Sequence, residues 1–206
     1  MINPTLIAQT TTIVRTTFIC AGLAHQAYTN VLNRSAKAIS SYTQLLTQII
    51  VFCYIGYMLL LDQPLICVIS GVIKCVPITL ITVQKYAYET DPVSKRDMRH
   101  VLGMIFLFVL ASSALGYWYP HEVGHFFGWL MFVINVIRFT PQVIHNWKRK
   151  SVTGYSPLYM SAIVFAGFGQ MIEAIFFSMP IQSYINAGYA ISIRLILAYQ
   201  YVKYAR

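Results

Sequence analysis

The most constraining feature of this chain is a series of seven apolar windows, each about as long as a helix that crosses a membrane. A helix of roughly 20 residues spans the hydrocarbon core of a bilayer. The windows predict seven transmembrane helices, at residues 6–30, 41–61, 64–86, 99–118, 124–147, 157–178 and 183–203. Only 10% of the 206 residues are charged, whereas a soluble domain is about a quarter charged. We therefore expect an all-α integral membrane protein embedded in the lipid bilayer.

The positive charge of the predicted loops lies on one side of the membrane. With seven helices the loops alternate sides, and one side collects Arg34, Lys37, Lys85, Lys95, Arg96, Arg99, Lys148, Arg149, Lys150, Lys203 and Arg206. The loops of the other side contain no Lys or Arg. Because basic loops face the cytoplasm, we expect the N-terminus outside and the C-terminus in the cytoplasm. This orientation accounts for the basic loops, so no nucleic-acid partner is expected.

The sequence gives no sign of a cleaved signal peptide, a metal site or an enzyme active site. The N-terminus lacks a cationic segment before its apolar stretch, so the first helix is expected to be retained. All four cysteines lie inside predicted helices, where we expect small apolar behaviour and no disulfide. His121 and His125 fall in a short outer loop, and no metal binding is expected there. No catalytic residues and no cofactor are predicted, and we do not expect an enzyme.

The chain contains a weak internal repeat at an offset of 116 residues. Without gaps, this offset pairs Gln26 with Gln142, Asn30 with Asn146, Arg34 with Lys150, Ser35 with Ser151, Ser40 with Ser156, Pro64 with Pro180 and Gln84 with Gln200. Polar matches are informative in so apolar a chain. They predict a three-helix repeat at 1–90, a loop and linker helix at 91–122, and a second three-helix repeat at 123–206. A single linker helix makes the two repeats parallel.

The stretch RFTPQVIHNWKRKSVTGYSPLYM, residues 138–160, resembles the PQ-loop motif, most closely that of the cystinosin branch. The first copy, AHQAYTNVLNRSAKAIS, keeps Gln26 and Asn30 but has His25 where the second copy has Pro141. The resemblance implies a SWEET-like fold of two parallel three-helix repeats joined by a linker helix. It also implies transport by alternating access between the repeats.

The PQ-loop motif itself predicts a kink in the fifth helix. Pro141 has no N–H and its ring crowds the carbonyl of Ile137, so that group needs another donor in lipid. Gln142 is the neighbouring donor. A kink of this kind suits a flexing helix, although a static kink is the alternative. The hinge or gating candidates are Gln26, Pro77, Pro141 and Gln142.

A polar stripe follows one face of the same helix, at Asn135, Arg138, Gln142 and His145. The spacing of three, four and three residues places these side chains on one side of the helix. Such a face does not suit contact with lipid. The stripe predicts either the lining of a central cavity or hydrogen bonds that hold helices together, each worth roughly 0.6 to 2 kcal/mol.

Ionisable residues inside the predicted helices are functional candidates because they are costly in a membrane. Arg15, Lys74, Arg138 and Arg194 are cationic, and Glu173 is the only acid deep in a helix. We expect Glu173 to pair with an arginine and leave an excess of positive charge. Arg15 and Arg194 can instead extend towards the headgroups, which leaves Lys74 and Arg138 as the central cations.

The resemblance implies a substrate site between the third and seventh helices near the middle of the membrane. The predicted substrate-binding residues are Ser70, Lys74, Arg138, Asn186, Arg194, Gln170 and Glu173. The cystinosin branch is expected to have a proton-coupling aspartate six residues before Gln200, where this chain has Arg194. An arginine does not release its proton at physiological pH. Proton coupling is therefore in doubt unless Glu173 or His25 takes this role.

These features predict a transporter for a small polar metabolite. A cationic cavity favours an amino acid or another solute with a carboxylate or phosphate, while a neutral sugar stays open if the cations pair with one another. The alternative is a SWEET-like receptor that binds a peptide or carboxylate ligand without transport. The compact chain favours a bacterial inner membrane over a lysosomal one. The substrate and the oligomeric state stay open.

Overall fold

The computed structural model describes residues 3–32, 34, 41–90, 92–150 and 157–204, without the side chains of 41, 92–94, 101, 141, 142, 145, 149 and 157–160. These residues form seven helices and no strand. The helices are α1 (Pro4–Leu32), α2 (Ser41–Leu60), α3 (Leu65–Tyr88), α4 (Pro92–Trp118), α5 (Pro120–Arg149), α6 (Pro157–Phe176) and α7 (Ile181–Tyr204). Each predicted window coincides with one helix, and the predicted all-α fold is confirmed.

Five of the helices are long and apolar enough, among the described residues, to cross a membrane on their own. They are α1 to α5. In α6 the qualifying apolar stretch is shorter, Ser161–Phe176. α7 falls outside this set; it carries Arg194 and the buried polar residues Gln182, Ser183, Asn186 and Gln200. A polar helix of this kind is stable in a membrane when its polar face packs against other helices.

The helices form two three-helix units and a peripheral linker. In the first unit α3 packs against both α1 and α2, and in the second α7 packs against both α5 and α6. The two units meet through α1 against α6 and α2 against α5. The linker α4 contacts α2 and α5. The protein is therefore a multi-pass membrane protein with two parallel three-helix repeats.

The offset of 116 residues is visible in the backbone. Among the described residues, φ is positive at Arg34, Asp62, Lys150 and Ser178, apart from glycines. Asp62 follows α2 and Ser178 follows α6, and both helices end in a Schellman motif. In α2 the N–H of Gln63 donates to the carbonyl of Met58 at 2.9 Å, and the equivalent bond after α6 measures 3.0 Å. Asp62 and Ser178 both adopt the left-handed conformation because α2 and α6 end in the same geometry.

A side-chain hydrogen bond repeats in the same way. Gln84 Nε2 donates to the carbonyl oxygen of Ala27 at 3.2 Å, which joins α3 to α1. Gln200 Nε2 donates to the carbonyl oxygen of Val143 at 2.9 Å, which joins α7 to α5. Both donors are buried. The two units are thus held together internally by the same contact.

Candidate functional site

A cavity of about 150 Å³ lies where the two units meet. It is lined by Arg15, Ile19 and Leu23 of α1, Thr47, Ile50, Val51 and Tyr54 of α2, Lys74 and Ile78 of α3, Met131, Asn135 and Arg138 of α5, Ala162, Ile163, Ala166 and Gln170 of α6, and Asn186 and Arg194 of α7. Larger grooves of about 440 to 560 Å³ lie beside α4 and between α1 and α3. Their linings are mainly apolar, as expected of surfaces that contact acyl chains.

The internal repeat determines which positions line this cavity. Six pairs of lining residues are separated by 116 positions: Arg15 and Met131, Ile19 and Asn135, Thr47 and Ile163, Ile50 and Ala166, Tyr54 and Gln170, Ile78 and Arg194. The cavity therefore lies on the axis that relates the two units. In none of these pairs are both residues charged. The repeat explains the location of the cavity, whereas its charges are particular to each unit.

Four cations line the cavity, one from each of α1, α3, α5 and α7: Arg15, Lys74, Arg138 and Arg194. Three acidic residues lie within the helices: Asp97 and Glu122 are near the starts of α4 and α5, and Glu173 alone is deep in a helix, α6. Charge buried in a low-dielectric environment is costly unless an opposite charge lies near it. One carboxylate balances one of the four cations, so the cavity has an excess of positive charge.

Arg15 and Glu173 form a buried ion pair between α1 and α6. Arg15 Nη2 lies 2.6 Å from Glu173 Oε2, and the two side chains are 5% and 1% exposed. The same nitrogen donates to the hydroxyl of Tyr54 at 3.2 Å. The predicted pairing of Glu173 with an arginine is confirmed. The expectation that Arg15 can extend to the headgroups is wrong, because this residue lies mid-helix and points into the interface between the units.

Lys74 packs on the ring of Tyr54. Its Nζ lies 4.3 Å from the ring centroid, a distance typical of a cation–π contact. In the part of the chain that the structure describes, Lys74 makes no hydrogen bond or ion pair. Tyr54 thus contacts two cations, Lys74 through its ring and Arg15 through its hydroxyl.

Arg138 and Arg194 belong to the second unit. Arg138 Nη1 donates to Thr47 Oγ1 at 2.8 Å, which joins α5 to α2, and its Cζ lies 4.0 Å from the centroid of the Phe139 ring. Arg194 packs against α6 at Gly167, where an added Cβ would lie 3.4 Å from Nη1. The glycine makes room for the guanidinium beside the cavity.

Two amides complete the polar lining. Asn135 Nδ2 donates to Asn186 Oδ1 at 2.8 Å, between α5 and α7. Both side chains are buried. Within the polar stripe, Asn135 and Arg138 line the cavity and also make interhelical hydrogen bonds, so both interpretations of the stripe apply to them. The side chains of Gln142 and His145 lie outside the described residues.

Comparison with known proteins supports the same architecture. Residues 123–183 match the family model described as the PQ loop repeat. This segment is similar to a PQ-loop repeat. The fold is similar to that of a eukaryotic SWEET transporter, with a TM-score of 0.74, 9% sequence identity, and coverage of 97% of this chain and 99% of that chain. No curated protein sequence matches the chain. The predicted resemblance to PQ-loop proteins with a SWEET-like fold is thereby confirmed.

The cavity of this SWEET-like fold brings together five of the seven predicted binding residues: Lys74, Arg138, Gln170, Asn186 and Arg194. Ser70 is not part of the lining. Its Oγ lies 2.6 Å from Thr16 Oγ1, and it borders the groove between α1 and α3. Glu173 borders a smaller adjoining cavity of about 10 Å³ and reaches the main one only through Arg15.

The hinge candidates lie outside the cavity. Gln26 is buried and donates to Asn30 Oδ1 at 3.1 Å, and Asn30 in turn donates to Gln84 Oε1 at 3.2 Å. Pro77 lies inside α3. In the segment that matches the PQ-loop model, Pro141 and Gln142 lie within α5, and their side chains are outside the described residues.

Sequence reasoning missed Thr47 and Tyr54 as members of the cavity, and it set Arg15 aside as a residue that can extend to the headgroups. A usable signal was present for Tyr54, because the offset of 116 residues relates it to the predicted residue Gln170. The repeat gives no such signal for Arg15, whose counterpart is Met131, or for Thr47, whose counterpart is Ile163.

Proposed function

We propose that this protein is a membrane transporter that moves a small carboxylate-bearing solute through the central cavity. The PQ-loop repeat and the SWEET-like fold support a transporter of small solutes. The observation that carries the substrate class is the lining of four cations, in a chain whose only acidic residue deep in a helix is Glu173. A bound carboxylate would supply the missing negative charge in a place where uncompensated charge is costly.

The position of the cavity supports alternating access. It lies between residues 1–90 and residues 123–206, and the contacts of α1 with α6 and of α2 with α5 surround it. Rocking of these units about the cavity would open it to one side at a time. Pro77 and the PQ-loop residues Pro141 and Gln142 are the proposed hinges, and Gln26 is the proposed gate residue at the matching place in the first unit.

Uncoupled transport is the simpler form of this proposal. Arg194 lies where the cystinosin branch is expected to have an aspartate. The carboxylate of Glu173 forms an ion pair with Arg15. Neither group is well suited to cycle a proton. A proton gradient imposed across vesicles that contain the protein should therefore not drive accumulation of a carboxylate.

The size of the cavity favours transport over peptide reception. A volume of about 150 Å³ is below the roughly 300 to 1,000 Å³ of typical drug-sized pockets. A small solute fits this space better than the end of a peptide. A receptor would bind carboxylate-ending peptides without moving any solute across the membrane, and this outcome distinguishes the two functions.

The test is counterflow into proteoliposomes, with labelled lactate, succinate, alanine and glucose as separate probes. We expect uptake of at least one carboxylate. For Lys74→Ala, its half-saturating concentration should rise by roughly 10- to 100-fold, since loss of a charged contact costs roughly 1.5 to 3 kcal/mol. Lys148→Ala removes an exposed cation outside the cavity and serves as the control. Uptake of glucose alone would overturn the carboxylate assignment, and absence of any uptake would overturn the transporter.

A further inference from the structure

The cations of the cavity lie at different heights along α2. Arg138 contacts Thr47, whereas Lys74 and Arg15 contact Tyr54. Seven residues separate Thr47 from Tyr54, and at 1.5 Å per residue these two levels are about 10 Å apart along the helix. The cavity therefore has one cationic end at Thr47 and another at Tyr54.

Arg194 lies between the two ends. It packs against Gly167 of α6, and the internal repeat relates Gly167 to Val51. Val51 is one helical turn from Thr47 and about one turn from Tyr54. Successive cationic levels are thus separated by about 4.5 to 6 Å along the helix axis.

The carboxylate of Glu173 lies at the Tyr54 level. Glu173 pairs with Arg15 there, and Arg15 packs against Gly169 of α6, where an added Cβ would lie 3.0 Å from Arg15 Cδ. Lys74 supplies the remaining positive charge of this level. Arg138 supplies the positive charge at the Thr47 level, and Arg194 supplies the positive charge at the level between them. The excess charge is spread along the cavity instead of being concentrated at one point.

We propose that the site selects a small solute with two separated anionic groups, with four-carbon dicarboxylates as the best-fitting class. One carboxylate would lie near Lys74 and the other near Arg138 and Arg194. This inference rests on the proposed function, since it specifies the substrate of the same cavity. It differs from that function in requiring the second acidic group.

A single negative charge does not match this distribution. A monocarboxylate reaches one level and leaves the positive charge of another level in a low-dielectric space. A compact dianion such as sulfate has enough charge but places it at one centre. Cavities of about 150 Å³ hold molecules the size of benzene, so the solute is limited to fewer than about ten non-hydrogen atoms. A four-carbon dicarboxylate satisfies both the size and the spacing.

The experiment measures inhibition of labelled succinate counterflow in proteoliposomes by four unlabelled competitors: succinate, succinamate, butyrate and sulfate. Succinamate matches succinate in size and replaces one carboxylate by an amide. We expect succinate to compete at a concentration at least tenfold lower than the other three. Equal competition by succinamate or butyrate would overturn the need for two charges, and equal competition by sulfate would overturn the need for separation.

Variants then locate the two ends of the site. Arg138→Gln and Lys74→Met each remove the positive charge at one end of the site. The ratio of the inhibitory concentrations of succinamate and succinate should therefore fall towards one. Arg138→Lys keeps the charge and should keep most of the preference, which separates a charge effect from misfolding. Arg96→Gln removes an exposed cation and is the matched control. An unchanged preference in both Arg138→Gln and Lys74→Met would contradict the assignment.

Different results would contradict the transporter function and the dicarboxylate inference. If lactate or alanine is carried while succinate has no advantage, the transporter function stands and the dicarboxylate inference is wrong. If no carboxylate is carried and none raises the unfolding temperature of the purified protein, the proposed function fails and the inference fails with it.

Discussion

Arg15 and Glu173 join the two three-helix units through a buried ion pair, with Arg15 on α1 and Glu173 on α6. The pair neutralises one of the four cations of the cavity and lies at the interface across which the units would move. Replacement of one partner by a neutral residue of similar size changes the charge of the cavity, whereas replacement of both partners leaves its net charge unchanged. Comparison of the two kinds of variant therefore separates the contribution of the pair to folding from its contribution to the charge of the cavity.

Glu173→Gln should strongly destabilise the protein. The substitution leaves the Arg15 guanidinium buried without its counter-charge, and loss of one partner of a buried pair costs about 3 to 5 kcal/mol. Thermal unfolding in detergent measures the effect. Glu122→Gln, at an exposed position on α5, is the matched control and should unfold like the wild type.

The double variant Arg15→Met, Glu173→Gln should recover most of this loss. Methionine occupies the repeat-related position 131 of α5, and removal of both charges leaves no buried ion without a partner. The pair would contribute little to stability if the double variant lost as much stability as the two single variants together. The same would follow if Glu173→Gln were as stable as Glu122→Gln.

The repeated glutamines should respond unequally to the same substitution. Gln84 donates to the carbonyl of Ala27 and accepts from Asn30, so Gln84→Leu leaves a buried amide donor unsatisfied at a cost of about 1 to 3 kcal/mol. Gln200 Oε1 has no hydrogen-bond partner among the described residues. Gln200→Leu therefore removes one bond and one unsatisfied oxygen, and should change stability by less than about 1 kcal/mol.

Thermal unfolding of the two variants, with the exposed Gln9→Leu as control, tests this asymmetry. Equal losses for Gln84→Leu and Gln200→Leu would mean that the two repeats rely equally on the contact. A larger loss for Gln200→Leu would mean that the hydrogen bonds of Gln84 contribute less to stability than the single bond of Gln200.

Most of the fold was predictable from the sequence, because the length of an apolar window is set by the thickness of the membrane and does not depend on packing. The repeat offset was also visible, through pairs such as Gln84 and Gln200. Even α7, whose polar side chains lower its hydropathy, was recognisable, because Arg194 is its only charged residue before Lys203 near the end of the helix.

The arrangement of the site was less predictable. The sequence identified Lys74, Arg138 and Arg194 as individual cations, and all three line one cavity. It did not reveal which arginine pairs with Glu173, since that choice depends on how α1 packs on α6. Tyr54 was missed for a related reason. A tyrosine in an apolar helix has the same sequence context whether it faces the core or a pair of cations.

Gly128→Ala should destabilise the contact of α5 with α2 and α7. An added Cβ would lie 2.9 Å from a ring carbon of Tyr57 and 3.2 Å from Cβ of Gln182. The Tyr57 hydroxyl lies 2.9 Å from Ser183 Oγ, so the ring is held in place on its far side. We expect a loss of about 1 to 3 kcal/mol, typical of overpacking.

Gly103→Ala is the matched control for this substitution. An added Cβ at Gly103 has no neighbour within 4 Å, and alanine favours the helix by roughly 0.5 to 1 kcal/mol. Thermal unfolding should therefore move in opposite directions for the two variants. A stable Gly128→Ala protein would show that Tyr57 can shift at little cost.

The orientation of the protein in the membrane can be tested with introduced cysteines. Glu122 lies at the start of α5 and Lys148 at its end, so the two positions lie on opposite sides of the bilayer. The distribution of basic residues predicts that Lys148 lies in the cytoplasm and Glu122 outside. In intact bacterial cells, a charged, membrane-impermeant thiol reagent should label Glu122→Cys, whereas Lys148→Cys should react only after permeabilisation.

The native cysteines set the background, because Cys53 and Cys67 are fully buried and Cys20 and Cys75 lie within membrane-spanning helices. Labelling of Lys148→Cys in intact cells, with Glu122→Cys protected, would contradict the predicted orientation.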